Sequence, residues 1–284
     1  MNVWTTRRFD IDLLQPKVMG IVNLTPDSFS DGGVYNAPDQ ALAHAEQLLR
    51  EGADMLDVGA ESTRPGAPAV PLQEELARLE PVVKELVRWN VPLSIDTYKP
   101  EVMQAVLAWG VDVINDVWAL RQPGAWEVVS AHSRVGVCLM HMHREPGSMQ
   151  AQPMQGDVLE QVQGFFAQAL LQAQQHGVSR QRVALDPGIG FGKTVQQNLT
   201  LLREHGRFHA LGCPTLVGWS RKSTLGAVLA ERVMHGQVPE PAQRVQASVA
   251  AALLSVERGA RIVRVHDVAP TVQALALWGA MQDH

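Results

Sequence analysis

Four short apolar runs in this sequence stop at a side chain that can bind or ionise: Asn23 after Val18–Val22, Asp96 after Ser94-Ile95, Asn115 and Asp116 after Val113-Ile114, and Asp186 after Val183-Ala184-Leu185. Any one of them reads as an ordinary turn former, because Asp and Asn are common where a chain leaves a strand. As a set they suit a flat heterocycle with adjacent N–H donors and a ring acceptor, since ionised carboxylates only accept while an amide does both. Each charge-assisted hydrogen bond of that kind is worth roughly 1.5–3 kcal/mol.

Cations and donors accompany these groups. Arg64 stands in Glu61-Ser-Thr-Arg-Pro-Gly66, Arg221 and Lys222 in Gly218-Trp-Ser-Arg-Lys-Ser223, and Arg264 with His266 in Val263-Arg-Val-His-Asp267. Arg264 and His266 are two apart and share one side of an extended segment. Of the adjacent pair Arg221 and Lys222, at least one is expected to be solvated. The donors outnumber the acids that could match them, which points to an anion, phosphate or pyrophosphate, beside the acid-lined ring pocket. Asn23 and Asp31 offer the oxygen ligands preferred by Mg²⁺, a hard cation that often bridges to substrate phosphates.

Two motifs invite other readings. Asp186-Pro-Gly-Ile-Gly-Phe-Gly-Lys-Thr194 has Pro187 where a Walker phosphate loop needs glycine. Its glycines are expected to let the backbone run close to a ligand, with Phe191 as an apolar wall and Lys193 as a solvated loop residue. His141-Met142-His143 could be a metal pair, but with no cysteine or second histidine motif nearby a packing or loop role is favoured.

These groups need elements that bring them to one place. Short β-rich runs alternate with helical patterns through all 284 residues, the mark of repeated βα units and a parallel sheet. The eight strands are predicted at Lys17–Val22, Met55–Val58, Pro92–Ile95, Asp112–Ile114, Val135–Leu139, Val183–Leu185, Thr215–Val217 and Ile262–Val265. Asn36 is expected to cap a helix with Ala41, Leu42, Ala45, Leu48 and Leu49 on one face, ending at Gly52. Asp157 opens another with Val162, Phe165, Phe166, Ala169 and Leu170 inward, ending at Gly177. Helix Gln73–Trp89 places Leu76, Leu79, Val83 and Leu86 inward and is expected to kink at Pro81.

Eight units could also form an open doubly wound sheet. Polar side chains at the ends of nearly all the strands, from Asn23 to His266, suit a closed ring with one mouth better. The expected fold is therefore α/β, a single (β/α)₈ barrel over residues 17–284, with residues 1–16 as a small cap or hairpin at its other end. Hydrophobic residues at 46% and charged residues at 19% supply a core, and the net charge of −5 leaves no basic face for nucleic acid or membrane. The sequence has no secretory signal pattern and no run of about 20 apolar residues, so a cytoplasmic location is expected. Cys138 and Cys213 read as reduced packing residues. The run Ala247–Leu254 is too apolar for an exposed helix face and is expected to be covered, its sequence fitting internal burial on the barrel and a contact with a second subunit equally.

The ordered segments Gly20–Gly33, Asp57–Ala67, Ser94–Pro100, Ile114–Val117, Leu139–His141, Asp186–Thr194, Gly218–Ser223 and Arg264–Val268 together resemble the dihydropteroate synthases, pterin-binding TIM barrels of folate biosynthesis. The resemblance spans essentially the whole chain. It implies a transferase that joins (7,8-dihydropterin-6-yl)methyl diphosphate to 4-aminobenzoate, giving 7,8-dihydropteroate and diphosphate, with Mg²⁺ as cofactor, a homodimer and a sulfonamide target. Carried over by position, Asp96, Asn115, Met140, Asp186, Phe191, Gly218 and Lys222 look like the pterin set. Asn23, Thr63, Arg64, Arg264 and His266 look like the diphosphate group, with Asn23 and Asp31 on the metal. Phe29, Thr63, Pro65 and Ser220 look like the 4-aminobenzoate site, and Thr25–Gly33 like a closing lid.

The catalytic burden implied for Asp96, Asp186, Lys222, Arg264 and His266 is electrostatic: diphosphate leaves, the reduced ring stabilises the cation, and the neutral arylamine attacks without a strong base. Ala60, where the family commonly has glycine, and His143, where a glutamine or other polar residue is expected, are departures. The alternatives are a methyltetrahydrofolate-corrinoid methyltransferase, which has no evident need for Arg64, Arg264 and His266 around a diphosphate, and a non-catalytic pterin-binding paralogue.

Overall fold

A computed structural model of the protein describes residues 2–25, 37–62, 67–144, 149 and 152–282. The chain begins with a two-stranded antiparallel hairpin, β1 (Val3–Thr5) and β2 (Asp10–Asp12), in which Trp4 lies opposite Ile11. Eight parallel strands follow: β3 (Lys17–Asn23), β4 (Met55–Gly59), β5 (Leu93–Asp96), β6 (Val113–Asp116), β7 (Gly136–Met140), β8 (Val183–Asp186), β9 (Leu216–Val217) and β10 (Ile262–Val265). Each predicted strand is present, shifted by a residue or two toward its polar end in most cases. The sheet order is β8-β7-β6-β5-β4-β3-β10-β9. A parallel bridge between Leu185 and Thr215 joins the two ends, so the sheet closes into a barrel rather than an open crevice.

Helices α1 (Ala37–Arg50), α2 (Leu72–Leu86), α3 (Pro100–Trp109), α4 (Ala125–Ser130), α5 (Val158–Gln175), α6 (Val195–Arg203), α7 (Ser223–Arg232), α8 (Val245–Glu257) and α9 (Val268–Gln282) surround it. Their apolar stripes bury Ala41, Ala45 and Leu48 from α1 and Val162, Phe166 and Leu170 from α5 against the outer faces of the strands. Asp157 caps α5 by accepting from the Leu159 and Glu160 amides at 2.7 and 3.2 Å. Asn36, the expected cap of α1, lies outside the described residues. Helix α2 continues past Pro81 and ends at Leu86, short of the predicted Trp89.

The barrel interior divides by height. At the end where the strands begin, Trp4, Ile11 and Leu13 from the hairpin side pack with Met19, Met55, Val113, Cys138, Ala184, Leu216 and Ile262. The Trp4 indole donates to the Arg182 carbonyl at 3.0 Å. That end is plugged with apolar side chains, and the polar residues collect at the other. Both cysteines are buried and unbridged.

Candidate active site

Parallel pairing brings the polar strand ends into line. Asn23 is in register with Gly59, Gly59 with Asp96, and Asp96 with Asn115; further round the barrel, Met140 is in register with Asp186. Four consecutive strands thus end in one row at the same mouth.

The centre of that mouth is an ion-pair cluster built on Arg264. Its Nε donates to Asp57 Oδ2 at 2.6 Å and its Nη2 to Asp96 Oδ2 at 3.0 Å. Asn115 Nδ2 donates to the same Asp57 oxygen at 3.2 Å. Arg264 is therefore matched by two acids, not a spare cation as its sequence context suggested. Burial opposes its charge, but Asp57 and Asp96 outweigh that and raise its pKa. Burial pushes the Asp96 carboxyl up, with Arg264 and Lys222 pulling it down and Asp57 and Asp116 pushing it further up. The Asp186 carboxyl is also raised by burial, against the pull of the Gly188 amide, Lys222, Lys193 and Arg264. Asp96, Asn115, Asp186, Lys222 and Arg264, five of the residues singled out from sequence, form one electrostatic unit. Asp57 was missed, although an acid in the middle of the apolar run Met55–Gly59 is a visible signal.

Asp116 points elsewhere. Its carboxylate accepts from the Trp118 and Leu120 amides, both at 2.7 Å, and holds a turn in which Ala119 and Leu120 take φ of 54° and 56°. It is a turn-former, as its residue type allows.

The glycine loop after β8 corrects two expectations. A Cβ on Gly188 would sit 1.9 Å from the His141 carbonyl oxygen, and one on Gly192 2.6 Å from that of His143. At these positions the backbone is pressed against the segment after β7 rather than a ligand. Lys193 is not solvated but 4% exposed, with Nζ donating to the carbonyls of Gly188 (2.8 Å), His141 (3.2 Å) and Phe191 (3.2 Å). Nothing in the sequence marks a lysine in a glycine-rich loop as buried. Phe191 does form an apolar wall, grouped with Val117, Met140, Met142 and Met149 and flanked by Tyr98 and Trp118. Lys222 Nζ lies 4.2 Å from the centre of its ring. A Cβ on Gly218 would meet nothing within 4 Å, so space is open above that backbone.

Arg221 turns away into a two-point pair with Asp267, at 2.6 and 3.1 Å. Of the adjacent basic pair only Lys222 faces the acids. Ser220 Oγ is 2.9 Å from His266 Nδ1 and accepts from the His266 amide at 3.2 Å, so these two form one unit between the ends of β9 and β10. His141 is buried edge-on to Phe165, and burial together with Lys193 drives its pKa down to about 2. It is a neutral packing residue. Among the described residues no three His, Cys, Asp or Glu side chains gather to hold a metal. Phe29, Asp31, Thr63, Arg64 and Pro65 lie outside the described residues, as does nearly all of the expected lid.

A second network, unforeseen from sequence, fastens the chain on either side of residues 63–66. Lys99 pairs with Glu61, donates to the Val70 carbonyl at 2.8 Å and pairs with the buried Glu75 at 2.5 Å. Tyr98 donates to Glu61 at 2.9 Å and Thr97 to Glu75 at 2.8 Å. Arg78 donates to the Ala60 carbonyl at 2.8 Å.

A barrel whose mouth gathers carboxylates, an amide and two cations around an apolar wall defines a ring-binding α/β enzyme site, and residues 19–266 match the family described as pterin binding enzyme. The chain is 50% identical to the dihydropteroate synthase of Neisseria meningitidis serogroup B, over 99% of this chain and 98% of that one. Its fold superposes on the dihydropteroate synthase of Xanthomonas albilineans solved with 4-aminobenzoic acid, with a TM-score of 0.88, 49% identity and 96% and 95% of the two chains covered. It likewise superposes on the Burkholderia cenocepacia enzyme complexed with 7,8-dihydropteroate, with a TM-score of 0.86, 47% identity and coverage of 99% and 96%. The chain belongs to the dihydropteroate synthases.

Proposed function

We infer that the protein joins (7,8-dihydropterin-6-yl)methyl diphosphate to 4-aminobenzoate, giving 7,8-dihydropteroate and diphosphate in folate biosynthesis. The observation that carries this reading is the Arg264 cluster: one guanidinium bridging Asp57 and Asp96, beside Asn115, Asp186 and Lys222. The acids and Asn115 accept from and donate to the edge of the pterin. Phe191 and Met140 flank its face, Gly218 leaves room for it, and Lys222 holds a ring acceptor. The carboxylates favour the electron-poor state of the ring that forms as diphosphate leaves. Arg264 spans the step from ring to leaving group, and His266, oriented by Ser220, stands beside it. Thr63 and Arg64 complete the diphosphate end, while Phe29, Thr63, Pro65 and Ser220 receive 4-aminobenzoate. No side chain need act as a covalent nucleophile, because the arylamine is neutral and nucleophilic at pH 7; holding both reactants in line contributes up to about 7–11 kcal/mol.

Mg²⁺ fits this donor set as an ion carried on the diphosphate. The Asn23 amide oxygen, half-buried at the end of β3, is a hard ligand of the right type, with Asp31 as the second. When bound, the ion neutralises charge on the leaving group. A homodimer is supported by α8 and α9, which pack on each other and carry no charged residue from Val245 to Val256 or from Val268 to Gln282. Leu254, Leu277 and Met281 on them are exposed. A cytoplasmic location is consistent with two free cysteines and with no helix among the described residues long and apolar enough to cross a membrane.

The test is direct. Purified protein with the pterin diphosphate, 4-aminobenzoate and Mg²⁺ should release diphosphate in a manner that depends on the arylamine. Release without the arylamine product, or none at all, overturns the reading.

A further inference from the structure

We propose that Lys193 is a positioning residue for the pterin end of the site, clipping the loop after β8 to the segment after β7 so that Asp186 and Phe191 keep their places. It rests on the functional reading above and adds a residue to it.

Lys193 is buried, with no carboxylate among the described residues in hydrogen-bond contact. Its three N–H groups instead go to three backbone carbonyls on two separate stretches of chain: His141 after β7, and Gly188 and Phe191 after β8. Burying an ammonium is costly unless it is fully hydrogen-bonded, and a lysine exposed at a loop would avoid that cost altogether. Burial pulls its pKa down to about 7, with Asp186 acting to raise it and Lys222 to lower it.

The acceptors show what is gained. Gly188 donates its amide to Asp186 Oδ1 at 2.7 Å, so the position of Gly188 sets the orientation of that carboxylate. Phe191 carries the ring on which Lys222 Nζ rests, so the position of its backbone sets the wall. The His141 amide donates to the Asp186 carbonyl at 2.9 Å, which ties the third acceptor to the same residue. One ammonium thereby fixes the two pterin contacts, Asp186 and Phe191, through their neighbouring backbone. The closeness of Gly188 and Gly192 to the His141 and His143 carbonyls is the packing that the clip draws tight. Asn198 reinforces it from α6, accepting from the Gly190 amide at 3.0 Å and donating to Thr224 Oγ1 at 2.9 Å, two residues past Lys222.

Methionine keeps most of the lysine stem and removes every donor. In Lys193→Met, KM for the pterin diphosphate should rise at least about tenfold, the loss of roughly one hydrogen bond to a charged group. KM for 4-aminobenzoate should stay within about twofold, and equilibrium binding of the pterin diphosphate alone should weaken by the same factor as its KM. A pterin KM within twofold of the parent overturns the proposal, as does an equal rise in both KM values, which marks general loosening. If Lys193→Met does not fold, Lys193→Gln is judged by the same split, and a chain that folds only with lysine here overturns it too, because the role is then structural. Failure of the parent to turn over both substrates defeats the functional reading instead, and the two failures are distinct.

Discussion

At the scale of single residues, the site works by matched charges in a partly dry mouth. Asp57 is fully buried and shares one oxygen between Arg264 and Asn115. Asp57→Asn is expected to lower kcat/KM about 10-fold to 100-fold, the worth of one charge-assisted hydrogen bond of roughly 1.5–3 kcal/mol. Steady-state rates within twofold of the parent would remove Asp57 from the machinery. Arg264→Met leaves two acids without their cation and is expected to destabilise the fold by about 3–5 kcal/mol, as urea denaturation would measure. Most of this site was legible in the sequence because parallel strands deliver their last residue to one mouth, and Asp96, Asn115 and Asp186 each end an apolar run. Which acid pairs with which cation was not, since Asp57 on β4 and Arg264 on β10 come within reach only when β10 pairs with β3 and closes the ring between them. Lys193 was misread for a related reason: its partners are backbone carbonyls, which leave no trace in residue types.

At the scale of elements, loops are held by side chains from the neighbouring unit. Lys99, at the start of α3, grips Glu61 before residues 63–66 and Val70 and Glu75 after them. Lys99→Met should therefore cost about 3–5 kcal/mol, because Glu75 is left as an unpaired buried acid. The double variant Lys99→Met, Glu75→Gln should recover much of that in the same melt, and no recovery would show that the pair is not the cause. Burial raises the Glu75 carboxyl even with Lys99 and Thr97 donating to it. Helix α5 depends on a simpler device, and Asp157→Ala should lower stability by about 1 kcal/mol through loss of its cap. Helix positions were readable from apolar spacing and from Asp157 and Gly177. The end of α2 was not, because Val87 and Trp89 continue the pattern after the backbone has left the helix.

At the scale of the whole molecule, two buried histidines set an acid limit. Burial lowers His205 to about 4 and His141 to about 2, from an ordinary 6.5. Below pH 6.5 the unfolded chain binds protons that the native state refuses, so stability falls as pH drops, until each native pKa is reached. The slope is about 1.4 kcal/mol per pH unit for each histidine. The Asp96 and Asp116 carboxyls, raised by burial to about 7, act in the opposite sense over the same range, so the test is a difference: comparing thermal melts between pH 7 and 5, His205→Gln should gain stability relative to the parent as pH falls, and an unchanged difference would remove His205 from the acid response. The uncharged faces of α8 and α9 carry the other global prediction. Leu277→Glu with Met281→Lys should shift sedimentation from dimer to monomer, and a parent that already sediments as a monomer would refute the interface.

The hairpin at the start of the chain closes the barrel's far end, and that has a consequence for the order in which the molecule assembles. Trp4 and Leu13 precede every barrel strand in the sequence, yet the surfaces that bury them belong to strands reaching as far as Ile262. The Trp4 indole waits for a carbonyl 178 residues downstream. Contacts so remote in sequence form slowly, because the intervening chain must be ordered first. A segment that precedes all the barrel strands is thus sheltered from water only once strands as late as β10 are in place.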